Sequence, residues 1–431
     1  MTNTKQNYTL PIVMMFALFF MISFVTGLQN PFGVIVKDQF QASNFMSQLG
    51  NAANFIAYAF MGIPAGMLLS RVGYKKTALI AIAVGFTGVC ISYLSGVFSS
   101  FAVYLIGAFI SGFSMCLLNS VVNPMLNSLG GGGNKGNQLL LLGGSINSIG
   151  ATITPVLAGI LIGNALNPTI ADVNPALWIA MGIFALAFIV LYAVDIPEPY
   201  TAEPSKAELK TKDKYSALSF RHFTLGAIAI FAYMGLEIGV PNFVNLFLGE
   251  SVANGGYGMD KSAAGLICGT YWFCMMLGRL GGGFIAARFS SKTMLTAVSV
   301  LGTLLVSGAI LCPIDVVVSM PIFVSSPTFG FGMAEVPLGI MLLILTGFCT
   351  SIMWGGIFNL AVEGLGKYTA MASGIFMIMV CGGGILPLIQ GLIGDSFGYM
   401  ASFSLLIVLY VFTLYYALFG SKNVNTDIPT E

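Results

Sequence analysis

Charge is what this chain has least of. Only 8% of its 431 residues are Asp, Glu, Lys or Arg, against about 25% in a soluble domain, so its surface cannot be hydrated throughout. Seventeen basic and sixteen acidic residues leave a net charge of +1, which gives no support to a nucleic-acid partner. Histidine occurs once, at 222, beside a basic stretch where it reads as a solvated loop residue rather than a catalyst. The seven cysteines (90, 116, 268, 274, 312, 349 and 381) form no close-spaced ligand pair and read as reduced, small apolar side chains. No phosphate-binding loop precedes a soluble α/β unit, and the Gly130–Gly133 run between apolar segments reads as a flexible loop. Neither enzyme chemistry nor a resident cofactor is expected.

What fills the chain instead is apolar: 57% of residues, with 12% aromatic and a mean hydropathy of +0.90. Disordered segments are poor in aromatics and rich in charge, so disorder is excluded. A membrane β-barrel would alternate apolar and polar residues over roughly 10-residue segments. Here the apolar runs are continuous and roughly 20 residues long, the length a helix needs to cross about 30 Å of hydrocarbon. The 53 glycines, well above the usual share of about 7%, let such helices approach closely. The pattern predicts an all-α integral membrane protein.

Twelve spans are predicted, at roughly 11–34, 45–69, 77–96, 100–128, 138–163, 176–195, 222–248, 262–287, 293–312, 336–361, 369–393 and 398–420. The first is too long for a signal peptide and lacks a small-x-small cleavage site. With both termini cytoplasmic, fifteen of the seventeen Lys and Arg residues fall on the inner side and only Lys37 and Lys261 lie outside, as the positive-inside rule requires. A multi-pass protein of the cell (inner) membrane is expected. The longest polar connection, 197–221, carries Glu198, Glu203, Lys206, Glu208, Lys210, Lys212, Asp213 and Lys214. It divides the chain into a six-helix half over 1–196 and another over 222–431. The apolar-rich segment near 313–335, with Asp315 and Glu335, is expected to form an outer-side lid or short helix.

The halves repeat one another. Gly66, Arg71 and Lys75 recur as Gly283, Arg288 and Lys292; Asn123 and Leu129-Gly130 recur as Asn359 and Leu365-Gly366; Gly150, Pro155 and Gly159 recur as Gly382, Pro387 and Gly391. Two six-helix pseudo-repeats place a substrate site at their interface near the bilayer midplane, exposed to each side in turn as the halves rock.

Inside the spans, ionisable residues are costly and mark function. Apart from Arg279 near the inner end of span eight, the clear case is Glu237, within Gly235-Leu236-Glu237-Ile238-Gly239. Burial disfavours a bare carboxylate, which suits a group that binds a proton. Neutral amides are more numerous. Asn51, Asn54 and Tyr58 share a face of span two at i, i+3 and i+7. Asn119 and Asn123 lie one turn apart in span four, Gln29 and Asn30 precede Pro31, and Asn147, Asn242, Asn245, Asn359 and Gln390 add to the set. Amides both donate and accept, which suits a ligand covered in hydroxyls, and Trp272 or Trp354 would stack on a sugar ring. The same amides could equally join helices.

The Gly-x4-Arg-x-Gly-x-Lys-Lys element at 66–76 resembles the loop between spans two and three of the major facilitator superfamily, with Ser70 where that motif has an acid. Within the superfamily the whole chain resembles the fucose:proton symporter family, which includes glucose/galactose transporters. The resemblance rests on Ile63-Pro64-Ala65-Gly66, Asn123-Pro124, Asn147-Ser148-Ile149-Gly150, Gly278-Arg279, Ile357-Phe358-Asn359-Leu360, Gly364-Leu365-Gly366 and Gly382-Gly383-Gly384 to Pro387. It implies the major facilitator fold and sugar transport. Proton-coupled fucose transporters carry acids where this chain has Asn30 and Asn119, so coupling by that route is not implied here, and Glu237 remains. Three schemes stay open: a proton on Glu237, sodium on Glu237 with amide oxygens, or uniport.

The resulting expectation is a monomeric secondary active transporter of a neutral monosaccharide, a hexose such as glucose, galactose, fucose or mannose. Gln29, Asn30, Asn51, Asn54, Asn119, Asn123, Asn147, Asn242, Trp272, Trp354, Asn359 and Gln390 would bind substrate, Glu237 would couple, and Arg71, Lys75, Arg288 and Lys292 would form the gating loops. An exporter of small hydrophobic compounds and a sugar-binding membrane receptor are the alternatives.

Overall fold

The structure, a computed structural model, describes residues 8–129, 133–162, 169–194, 196, 215–285, 288–324, 330–425 and 427–430. Most of the charged connection at 197–214 and the glycines at 130–132 lie outside the described residues. Eleven described helices are long and apolar enough to cross a membrane: α1 (Thr9–Lys37), α2 (Leu49–Leu69), α3 (Arg71–Phe98), α4 (Phe101–Leu126), α6 (Ala171–Ala193), α7 (Arg221–Gly249), α8 (Lys261–Gly282), α9 (Ser291–Leu311), α10 (Leu338–Val362), α11 (Gly374–Phe397) and α12 (Tyr399–Gly420). The thirty-residue helix α5 (Gly133–Ile162) completes twelve. Large apolar side chains such as Phe60, Leu186, Ile189, Leu304 and Val408 are exposed, as befits helices whose outer surface meets lipid rather than water.

Successive helices alternate in direction, so the connections α1–α2, α7–α8, α9–α10 and α11–α12 share one end, called here the hairpin end. The termini and the α6–α7 connection share the opposite, linker end. The first six helices meet the last six along three lines: α5 against α8, α2 against α11, and the second half of α1 against α7.

Local chemistry explains where helices bend. Between α2 and α3 the helix turns at Gly73, whose φ of +83° is open to glycine and costly for side chains bearing a Cβ. Pro64, Pro124, Pro241 and Pro387 sit inside α2, α4, α7 and α11, and each leaves the carbonyl four residues earlier without its helical donor. In a membrane such a carbonyl needs another partner. For Pro387 that carbonyl belongs to Gly383, and it accepts from Asn51 Nδ2 at 2.8 Å.

Two sequence expectations are corrected. The segment after α9 is not a short helix but an antiparallel hairpin, β1 (Val317–Val324) and β2 (Gly330–Pro337), in register from Val317↔Pro337 to Val324↔Gly330. Its alternation is that of a strand: Met320, Ile322 and Val336 are buried while Val317, Phe331 and Met333 are exposed. The hairpin packs on α8, with Phe331 5.5 Å from Phe273 between ring centroids. Nor is His222 solvated. The helix begins at Arg221, whose N–H donates to Asn425 Oδ1 at 2.9 Å. His222 is fully buried, with Nε2 2.9 Å from the Glu363 carbonyl.

Candidate functional site

Midway along the bundle, α7 and α8 bring the two intramembrane charges together. Arg279 Nη2 lies 3.4 Å from Glu237 Oε1, and both side chains are close to seven-eighths buried, 15% and 13% exposed. That separation is long for a charge-assisted hydrogen bond, which runs about 2.7–2.9 Å. The guanidinium is closer to neutral oxygens on α5: Nη1 donates to the Gly144 carbonyl at 2.9 Å and to Ser148 Oγ at 2.8 Å. One side chain therefore ties the last six helices to the first six while neutralising the acid beside it. Glycine spacing lets this happen. A Cβ at Gly235 would lie 2.3 Å from Leu386 and one at Gly239 2.6 Å from Gln390 Oε1, so the Glu237 turn packs directly on α11.

Aromatic rings border the pair. Tyr233 lies one turn before Glu237 on α7, and its ring stands 6.0 Å from Trp354. Tyr271 bonds Thr350 at 3.0 Å across α8 and α10 and meets Trp272 edge-on at 5.3 Å. Trp272 and Trp354 are both half-buried.

The amides divide by what already holds them. Asn119 donates to the Tyr58 hydroxyl at 3.0 Å and to the Met115 carbonyl at 3.1 Å, and Asn123 donates to the Asn119 carbonyl at 2.8 Å. Both are half-buried, so they form a polar ladder on α4 with Tyr58 across from it. Asn147, next to Ser148, donates to the Phe19 carbonyl at 3.0 Å and ties α5 to α1. Asn54 is fully buried against α4, donating to the Ala108 carbonyl at 3.2 Å, so its periodicity served packing. Asn51 and Asn242 lie on the seam between the two halves, Asn242 donating to Gln48 Oε1 at 2.9 Å. Gln390 is buried with Nε2 lacking a hydrogen-bond partner, and Asn359 is exposed on α10. The side chains of Gln29 and Asn30 lie outside the described residues.

At the linker end Arg71 and Arg288 are exposed and Lys75 is half-buried. Lys292 donates to the Leu418 carbonyl at 3.1 Å, placing a cation at the last turn of α12, where a helix end favours it.

The family model of the Major Facilitator Superfamily matches residues 15–339. The chain belongs to the Major Facilitator Superfamily. This member is 28% identical to a glucose/galactose transporter of Brucella abortus, over 98% of this chain and 97% of that one. It is 23% identical to the L-fucose-proton symporter of Escherichia coli, over 98% and 95% of the two chains. Its fold matches the crystal structure of the superfamily transporter FucP in the outward conformation with a TM-score of 0.70 at 20% identity, covering 96% of this chain and 100% of that one. Twelve helices in this superfamily make a multi-pass membrane transporter, not an enzyme.

Sequence reasoning found Glu237 but left Arg279 as a charge near a helix end. The available signal was depth: Gly278-Arg279 lies near the end of span eight, yet an arginine side chain spans about a turn and can reach inward. It also passed over Gln48, Glu250, Asp395 and Tyr399, which the fold brings to one seam at the hairpin end.

Proposed function

We propose that this protein is a secondary active transporter of a neutral monosaccharide, a hexose such as glucose, galactose, fucose or mannose, working by alternating access. In this reading residues 1–196 and 222–431 are two six-helix units joined by 197–221, the linker end and both termini face the cytoplasm, and the protein works as a monomer in the cell membrane. The fifteen-to-two distribution of basic residues supports that orientation, and the relatives named above support the substrate class.

The observation that carries the reading is the Glu237–Arg279 pair, joined through Gly144 and Ser148 to the opposite half. The polar side chains that Arg279 meets on α5 are uncharged, and Tyr233, one turn from Glu237, stands with its ring 6.0 Å from Trp354, a composition suited to hydroxyls and an apolar ring face and unsuited to an anion or a purely hydrophobic cargo. Asn119, Asn123 and Asn147 supply hydrogen bonds, and Trp354 or Trp272 a stacking surface. Glu237 is the coupling residue, and its cation is a proton. A sodium ion needs several oxygen ligands, and the guanidinium already stands 3.4 Å from the carboxylate, whereas a proton needs a single carboxylate oxygen.

Purified protein in liposomes tests this. An inward proton gradient drives accumulation of a radiolabelled hexose, sodium does not replace it, and Glu237→Gln retains sugar exchange while losing accumulation. Absence of hexose movement under proton, sodium and sugar gradients overturns the reading.

A further inference from the structure

The hairpin end is shut by polar contacts between the first six helices and the last six. At the end of α1, Lys37 pairs at 2.5 Å with Glu250, the residue that follows α7, and also reaches the Tyr399 hydroxyl. On the helical turn Asn44–Ser47, which precedes α2, the backbone N–H groups of Asn44 and Phe45 donate to the two oxygens of Asp395 of α11, at 2.7 and 3.0 Å. Tyr399 donates to Asn44 Oδ1 at 2.8 Å. Every one of these joins the first six helices to the last six.

Beneath this polar layer the backbones touch. A Cβ on Gly391 would lie 2.8 Å from Phe45 Cα, and one on Gly384 would lie 2.9 Å from both Cα and O of Ala52. The obstructing atoms are main chain and belong to the other half, so a side chain at either position fits only if the halves part. The first-half counterpart of Gly391 in the sequence repeat is Gly159, so the same small residue recurs in both halves.

We infer that Asp395, the Lys37–Glu250 pair and the glycine face of α11 at Gly384 and Gly391 together form the gate at the hairpin end, and that this gate sets which end of the transporter is open. The lock has two parts of different physics. The charged part falls when either partner is removed or when the two are made alike. The steric part falls when a methyl group is added to Gly391. Both must release for the hairpin end to open, because Asp395 and the glycines sit on one helix, α11, and all face the first six helices.

The inference rests on the alternating-access reading above, but its test needs neither sugar nor gradient. Spin labels on cysteines at Met46 and Phe397, both exposed and on opposite sides of the seam, read the opening as a distance, in a chain whose half-buried Cys90 and Cys312 are serine. The unmodified gate gives one short distance. Gly391→Ala and Lys37→Glu each raise the long-distance population at least tenfold, and Lys37→Glu combined with Glu250→Lys restores the short one. Should Gly391→Ala not fold, the charge reversal and its rescue decide alone. Identical distances in every folded variant, or a swap that fails to restore the short distance, overturn the gate. A protein that moves no hexose can still show it, and a hexose carrier can lack it, so the two failures are separable.

Discussion

Asn51 donates its amide to the carbonyl of Gly383, the one that Pro387 leaves without a helical donor. The bond crosses between the two halves, and it exists only while α2 and α11 are in contact. Removing the donor leaves a buried carbonyl unsatisfied, a cost of about 1–3 kcal/mol, and that cost falls on the closed hairpin end alone. Asn51→Ala therefore shifts the population toward the open hairpin end by roughly tenfold or more. The same Met46–Phe397 spin pair reads the shift, and sugar affinity measured from the linker side changes little. A loss of affinity from both sides would instead make Asn51 a sugar ligand.

Arg279 is held by three oxygens, of which Glu237 is the most distant. Lysine keeps the charge but not the planar fork that reaches Gly144 and Ser148 at once. Arg279→Lys thus lowers the transport rate by about tenfold or more while a thermal unfolding midpoint stays near the original. Arg279→Ala is worse, because it strands the Glu237 carboxylate in a low-dielectric site, a loss on the order of 3–5 kcal/mol. Adding Glu237→Gln to Arg279→Ala recovers most of that stability without recovering accumulation. If the double variant is no more stable than Arg279→Ala, the pair is not an electrostatic unit.

How much of this was legible in the sequence follows from which forces write themselves into it. The twelve spans were, since continuous apolar runs are dictated by hydrocarbon thickness. Glu237 was, since an acid in such a run is rare by physics. The partners of the amides were not. Asn51 and Asn54 carry the periodicity of a ligand-lining face, yet each donates to a carbonyl of a neighbouring helix, and periodicity cannot tell a helix neighbour from a sugar. The hairpin was missed because Val317–Val324 is apolar enough to resemble a helix, and only its alternation of buried and exposed side chains reveals the strand. His222 was misread because the tail residue that covers its helix end, Asn425, is 204 positions away.

Asn119 sits on the polar ladder of α4, and its amide holds the Tyr58 hydroxyl. Asn119→Asp keeps the shape and gives Tyr58 an acceptor in place of a donor, so the fold is retained. The variant adds a second titrating group to the polar ladder on α4. The pH profile of hexose accumulation then gains a second inflection absent from the parent. A profile identical to the parent would show that this position does not communicate with the proton, and would leave Glu237 as the sole coupling acid.

The latch at the hairpin end has its own pH dependence, whose sign follows from the contacts of Glu250. Burial pushes the Glu250 carboxyl up, but hydrogen bonds from Lys37 and Asn254 and the Lys37 charge outweigh it and hold the group below its ordinary value. Tyr399, Asp395 and Lys261 are the other ionisable groups near it. A carboxyl that is depressed in the closed state stabilises that state fully above its ordinary value, about 4.3, and loses the contribution as pH falls through the depressed one. The Met46–Phe397 distance is therefore flat from about pH 5 to 8 and lengthens only below about pH 4. Glu250→Gln removes that acid-induced opening and raises the open population at neutral pH. A latch that opened between about pH 5 and 8 would place the acid-sensitive contact elsewhere than at Glu250.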